Sequence, residues 1–211
     1  RVLSLQSSGI DWPFIEKKLP WSTVPDQIVI DSVLQPDIGL DSDVLVKESL
    51  PILLRERNGW CPYSERVWLA LEVLNIDYHT ILIDNMGRGR PDWYDGSTPQ
   101  MKFPNDDRVK GESLDLIKTV DAYAQQCSSP SPIQLYPSGL EKQVQGRIDD
   151  FTRTFPRNTR PSSRGAFLFS HYGELLSKAE FEKVLVATDA LLSQNEESAY
   201  FIGKEITAVD I

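Results

Sequence analysis

From residue 51 onward the chain alternates short apolar runs with amphipathic stretches. Ile52, Leu53 and Leu54 follow Pro51 and predict a strand over 52–55, closed by a turn at Asn58, Gly59 and Trp60. Val67, Leu71 and Leu74 then recur at spacings of four and three with Ala70 beside them, predicting a helix over 64–74. The alternating, β-branched stretch 78–83 predicts a second strand. Two such strands joined through one helix pair in parallel as a βαβ unit. A loop over 86–97 carries Gly87, Gly89, Pro91 and Gly96. Strands over 100–103 and 108–110 follow, separated by a turn at Asn105, Asp106 and Asp107. A helix over 112–126 then places Leu116, Ile117, Val120 and Tyr123 on one face.

The flanking regions read differently. Residues 1–50 are expected to form an irregular extension, interrupted by Pro13, Pro20, Pro25 and Pro36, with an acidic, surface-exposed stretch over 37–48. Residues 128–138 hold three prolines and four serines and read as a linker. A helix is expected over 140–151, an exposed loop over 153–165, and a strongly amphipathic helix over 177–193 with the stripe Phe181, Val184, Leu185, Thr188 and Leu192. Near the end, Thr207 suits a helix N-cap, with Asp210 as its partner and Ile206 and Ile211 as the flanking apolar pair. The expected organisation is an extension (1–50), an α/β domain (51–127), a linker (128–139) and a helical part (140–211) that reads as incomplete. The start at Arg1 and the stop at Ile211 suggest a fragment.

Composition narrows the function classes. The apolar share of 40% and charged share of 25% in 211 residues are those of a soluble globular protein, and no apolar run reaches the roughly 18 residues of a membrane span. A net charge of −9 argues against a general nucleic-acid field, so an anionic ligand needs local cations such as Arg88 and Arg90. Two cysteines are too few for a disulfide scaffold and have no zinc spacing, which points to a reducing compartment.

Cys61-Pro62-Tyr63-Ser64 carries the clearest chemistry. A cysteine closing a strand-to-helix turn sits where the free helical N–H groups converge, and these favour a thiolate. Gly59 and Pro62 fit a tight turn into a helix, which favours a reactive cysteine over one that merely packs. Ser64 stands where a dithiol motif has its second cysteine, so the site is monothiol and needs an external thiol to resolve a mixed disulfide. Thr98-Pro99 fits either a turn before an edge strand or a cis-proline whose neighbouring backbone pairs with an extended peptide. Glu112-Ser113 suits a helix start, and the same physics lets the N–H groups and hydroxyl hold a carboxylate while the Glu holds an ammonium. Arg90 is a loop cation able to meet a second carboxylate. Cys127, His79 and His171 read as structural or incidental.

Together these residues resemble the cysteine-type glutathione transferases. The resemblance rests on Cys61 to Trp68 (CPYSERVW), Arg90 to Tyr94 (RPDWY), Thr98-Pro99 and Glu112 to Ile117 (ESLDLI). It is nearest to the lambda class, with the omega class and dehydroascorbate reductases close. The resemblance implies a thioredoxin-like domain followed by an all-α domain, incomplete here. It implies Cys61 as the mixed-disulfide cysteine, Arg90 at the glycine carboxylate of glutathione, Thr98 and Pro99 at its cysteinyl part, and Glu112 and Ser113 at its γ-glutamyl part. Ser64 departs from the Ala or Cys usual at that position.

The activity so implied is glutathione-dependent thiol transfer through Cys61, with glutathione as co-substrate and no metal. The second substrate is expected to be a small-molecule or protein disulfide, in a cytoplasmic or plastid compartment, with no nucleic-acid or membrane partner; the oligomeric state stays open. Dehydroascorbate reduction is the enzymatic alternative, and a non-catalytic interaction module the other.

Overall fold

The computed structural model describes residues 28–41, 45, 49–59, 61–85, 90–104, 106, 108–127, 129–154, 177–195 and 199–211. Its strands are β1 (Val29–Asp31), β2 (Ile52–Glu56), β3 (His79–Ile83), β4 (Gln100–Lys102) and β5 (Val109–Lys110). Its helices are α1 (Pro62–Val73), α2 (Ser113–Gln126), α3 (Glu141–Thr154) and α4 (Lys178–Leu192). The strands form one mixed sheet in the order β1-β3-β2-β4-β5. β1 and β2 each run parallel to β3, while β4 is antiparallel to both β2 and β5.

The sheet is covered on both faces, and β2 shows why its sequence is a continuous apolar run. Leu53 faces α1 and α2 and packs with Val67, Leu71, Leu116 and Ile117. Ile52 and Leu54 face the other side, among Ile30, Leu45, Ile81, Ile83 and Tyr94. Strands buried on two faces lose the apolar–polar alternation of a half-exposed strand. α1 starts at Pro62, two residues before the expected position, because proline fits the first helical turn. It buries Val67, Ala70 and Leu71, and Leu74 just beyond it is 2% exposed.

Two expectations need correction. First, the extension is not irregular throughout: Val29–Asp31 pairs with Thr80–Leu82, with Thr80 N–H donating to Ile28 O and Ser32 N–H to Leu82 O. Three residues are too short to show a period; a distant strand edge decides them. Residues 1–27 lie outside the described part. Second, the proline-rich stretch after α2 is not a free linker. Asp121 of α2, itself buried, accepts the Leu135 and Tyr136 N–H groups at 2.9 and 3.1 Å, and Leu135 is fully buried. The α4 stripe, expected to need a partner surface, is only partly covered: Val184 is buried, but Leu185 is 51% exposed.

Elsewhere the reading holds to within a few residues. The expected loop over 153–165 enters the described part only at 153–154, which close α3. Thr207 and Asp210 form their reciprocal pair without a regular helix: the Thr207 N–H and hydroxyl donate to Asp210 Oδ2 at 2.8 and 2.9 Å. Ala208 N–H donates to Leu135 O, so this motif docks on the same buried segment. His79 is buried in β3, its Nδ1 accepting the Ile28 N–H at 3.4 Å; His171 lies outside the described residues.

Two outcomes are expected. Asp121→Ala leaves two buried amides without their acceptor and costs about 2–4 kcal/mol, read from denaturant unfolding. Asp31 supplies a pH signature. Burial pushes its carboxyl up, but the 2.7 Å hydrogen bond from Arg57, the Val33 amide and the Arg57 charge outweigh this and hold it below its ordinary value. A lowered carboxyl adds stability above the unfolded value of about 3.9 and loses it as pH falls through the folded one. Asp31→Asn therefore lowers Tm at neutral pH, and melts at a series of pH values show the gap from wild type closing under acid conditions.

Candidate functional site

Four chain segments meet at one end of the sheet. β2 ends at Glu56, and a turn through Gly59, at φ +69°, delivers Cys61 as the N-cap of α1. The turn is held by the fully buried Glu56 carboxylate, which accepts the Asn58 N–H and Nδ2–H and, from the loop after β3, the Asn85 N–H. Ser64 is buried and its hydroxyl accepts the Glu56 N–H at 3.3 Å, so it serves the strand–helix junction.

Thr98 and Pro99 lead into β4, which pairs with β2, and this pairing sets them beside Cys61. The Thr98–Pro99 peptide is cis. Cys61 Sγ lies 4.0 Å from both the Thr98 carbonyl oxygen and Thr98 Oγ1, at the outer reach of sulfur hydrogen bonding. Asn85 Nδ2 donates to Thr98 Oγ1 at 2.5 Å.

Glu112 and Ser113 open α2. Glu112 is the N-cap at φ +62°, a left-handed conformation that non-glycine residues adopt at a cost of about 1–3 kcal/mol. Ser113 is buried. A cavity of about 560 Å³ is lined by Tyr63 and Arg66 of α1, by Thr98 and Pro99, and by Glu112 and Ser113, with Lys118 and Gln145 beyond them. The structure thus brings Thr98, Pro99, Glu112 and Ser113 to one cavity, with Cys61 against Thr98.

Arg90 is not among the lining residues. Its guanidinium donates to the Gly96 and Tyr94 carbonyls and lies 5.0 Å from the Tyr94 ring centre. Arg66 lines the cavity instead, and the sequence reading missed it. Its Nη1 donates to Ser113 Oγ at 3.3 Å, its one hydrogen bond among the described residues. Burial lowers its pKa from the ordinary arginine value, and the Tyr63 and Tyr136 phenols oppose this. No spacing rule reveals Arg66, because only the packing of α1 on α2 carries it to Ser113. A charged residue next to the Val67 core stripe is the one available hint.

Cys127 is the C-cap of α2, far along the helix from Ser113. Its thiol donates to Tyr123 O at 3.4 Å, and burial, followed by the Asp77 charge, pushes it up.

A family model for the glutathione S-transferase N-terminal domain matches residues 60–127, the stretch from the Cys61 turn to the end of α2. Over that stretch the chain is similar to glutathione S-transferase N-terminal domains. Glutathione S-transferase L2, chloroplastic, of Arabidopsis thaliana is 33% identical over 112 residues, covering 50% of this chain and 36% of that protein. Glutathione S-transferase L3 of the same plant is 28% identical over 156 residues, covering 72% of this chain and 59% of it. This chain therefore spans between about a third and three-fifths of these two transferases. Among solved structures, glutathione transferase Omega 1C of Trametes versicolor superposes with a TM-score of 0.55 at 17% identity, covering 77% of this chain and 66% of that one. At that identity the likeness establishes the fold: a thioredoxin-like α/β unit with a mixed sheet, followed by helices.

The two thiols are expected to react unequally. Substoichiometric iodoacetamide at neutral pH labels Cys61 before Cys127, as peptide mass mapping would show; equal labelling contradicts the environments described.

Proposed function

We propose that the chain is a glutathione-dependent thiol transferase. The observation that carries this reading is Cys61 at the N-terminus of α1, in contact with Thr98, beside a cavity that ends at Glu112 and Ser113. This arrangement suits the γ-glutamyl and cysteinyl parts of glutathione. Ser113 and the free amides of α2 suit the γ-glutamyl carboxylate, and Glu112 suits its ammonium. The half-buried Arg66, hydrogen-bonded only to Ser113 among the described residues, adds the positive charge that such a carboxylate needs. The backbone at Thr98 suits the cysteinyl unit, as a strand pairs with a strand. Arg90 is retained as a weaker contact for the glycine carboxylate, since its side chain is already engaged by two carbonyls.

The chemistry is two thiol–disulfide exchanges. Cys61 thiolate attacks the glutathione sulfur of a mixed disulfide, the S–S bond breaks, and the substrate leaves as a thiolate that takes a proton from water. A second glutathione thiolate then attacks the Cys61–glutathione disulfide, releasing oxidised glutathione and restoring the Cys61 thiolate. Ser64 gives Cys61 no neighbouring thiol, so the external step is required. Dehydroascorbate reduction would use the same cysteine. A glutathione transferase homologue from Drosophila mojavensis, whose structure is similar to this chain with a TM-score of 0.54 at 16% identity, is described as having bound glutathione. The word chloroplastic in the name of the L2 relative makes a plastid the first compartment to examine.

The test is turnover of a glutathione mixed disulfide. Cys61→Ser abolishes it and Cys127→Ala leaves most of it, while mass spectrometry after oxidised glutathione finds one adduct, at Cys61. Ser113→Ala loses a hydrogen bond to a charged group, about 1.5–3 kcal/mol or tenfold to hundredfold in glutathione affinity. Binding of immobilised glutathione without turnover would favour the non-catalytic module, and an unchanged affinity in Ser113→Ala would remove the pocket from this site.

A further inference from the structure

Cys61 has two contacts on Thr98, and they suit opposite protonation states. A thiol can donate its proton to the Thr98 carbonyl. A thiolate has none to give and accepts only, so it turns to the Thr98 hydroxyl. Both oxygens lie 4.0 Å from Sγ. The hydroxyl is not free to rotate at no cost, because Asn85 Nδ2–H occupies Thr98 Oγ1 at 2.5 Å and directs the O–H proton elsewhere. Asn85 is fixed in turn through its own N–H to the buried Glu56 carboxylate at 3.4 Å. Cys61 follows β2, Asn85 follows β3 and Thr98 precedes β4, so the three stretches converge at one end of the sheet.

No cation among the described residues meets the sulfur directly. The ionisable groups that face it are two phenols, Tyr63 on its own helix and Tyr94 on the loop before Thr98. Burial first, and then the charge of a thiolate with that of Glu112 or Glu56, raises both, so they stay neutral. The charged neighbours of Tyr63 are Arg66 and Glu112, and those of Tyr94 are Arg90 and Glu56, one cation and one anion in each case. Cys61 makes no side-chain capping bond to α1, so among the described residues the Thr98 hydroxyl is the donor in contact with the sulfur.

Resting on the reading of Cys61 as the reacting thiol, we propose that the Thr98 hydroxyl is a hydrogen-bond donor that stabilises the Cys61 thiolate, and that Asn85 is the positioning residue that turns it toward the sulfur. Thr98 thereby has a side-chain role separate from the backbone role proposed above.

The experiment is the rate of iodoacetamide alkylation of Cys61 against pH, on the full chain in a Cys127→Ala background. Thr98→Val keeps the β-branched shape and removes the hydroxyl. Its midpoint moves to higher pH by about one unit, a loss of about tenfold in rate below the midpoint. Thr98→Ser keeps the wild-type midpoint, and Asn85→Ala moves part of the way in the same direction. An Asn85 amide turned the other way would claim the hydroxyl proton, and Thr98→Val would then leave the midpoint in place. That result overturns the proposal, as does a Thr98→Ser midpoint that moves as far as that of Thr98→Val. Thermal melts report whether each variant folds; should Thr98→Val not fold, a wild-type midpoint in Asn85→Ala overturns the proposal. Alkylation uses no glutathione, so a failure here is distinguishable from a failure of the transferase reading.

Discussion

The constraint on which the rest depends is the position of β2 at the centre of the sheet, bonded on both edges and buried on both faces. Its parallel partner β3 requires a crossover, and α1 supplies it. Its antiparallel partner β4 brings Thr98 and Pro99 to the end where β2 gives way to Cys61. Leu53 seats α1 and α2, while Ile52 and Leu54 seat the opposite face with Tyr94. A shift of one residue in β2 would exchange these two sets of side chains and dismantle both cores. The geometry around Cys61 is therefore a consequence of sheet register.

The site has a polar anatomy that follows from this convergence. Strand ends and helix starts leave backbone donors and acceptors without ladder or helical partners. Here the buried Glu56 carboxylate accepts the Asn58 and Asn85 amides, and the Ser64 hydroxyl accepts the Glu56 amide, which locks the turns together. The cavity beyond Thr98 keeps unspent donors at the start of α2, with Arg66 leaning on Ser113. Arg66 and Lys118 line this cavity together with the carboxylates Glu112 and Asp115.

The second half of the described chain is joined to the first through the segment after α2. Asp121 holds the amides of Leu135 and Tyr136, and Leu135 in turn accepts the Ala208 N–H. Val144, Ile148, Ile202 and Ala208 belong to the same buried cluster as Leu53 and Val67. Proline and serine content marks a break in regular structure, yet it does not distinguish a loose connection from one pinned by buried hydrogen bonds. The exposed Leu185 shows that the apolar stripe of α4 is only partly enclosed among the described residues.

Much was legible in the residues themselves. Strands 52–55 and 78–83, the helices after Cys61 and Glu112, and their order follow from apolar spacing and local start signals, because those depend on neighbours within one turn or one pleat. The grouping of Cys61, Thr98, Pro99, Glu112 and Ser113 was legible only by resemblance; the packing sets Cys61 against Thr98 and brings the other four to one cavity. What tertiary structure alone decided involves partners far apart in sequence. β1 exists because β3 offers an edge about 50 residues away. The Thr98–Pro99 peptide is cis, which its two residues alone do not specify. Arg66 reaches Ser113 across a helix–helix contact, and Arg90 turns to the carbonyls of its own loop. Short-range spacing specifies which face of an element is apolar; which polar side chains end up within 4 Å of one another depends on how the elements pack, and spacing carries no record of that.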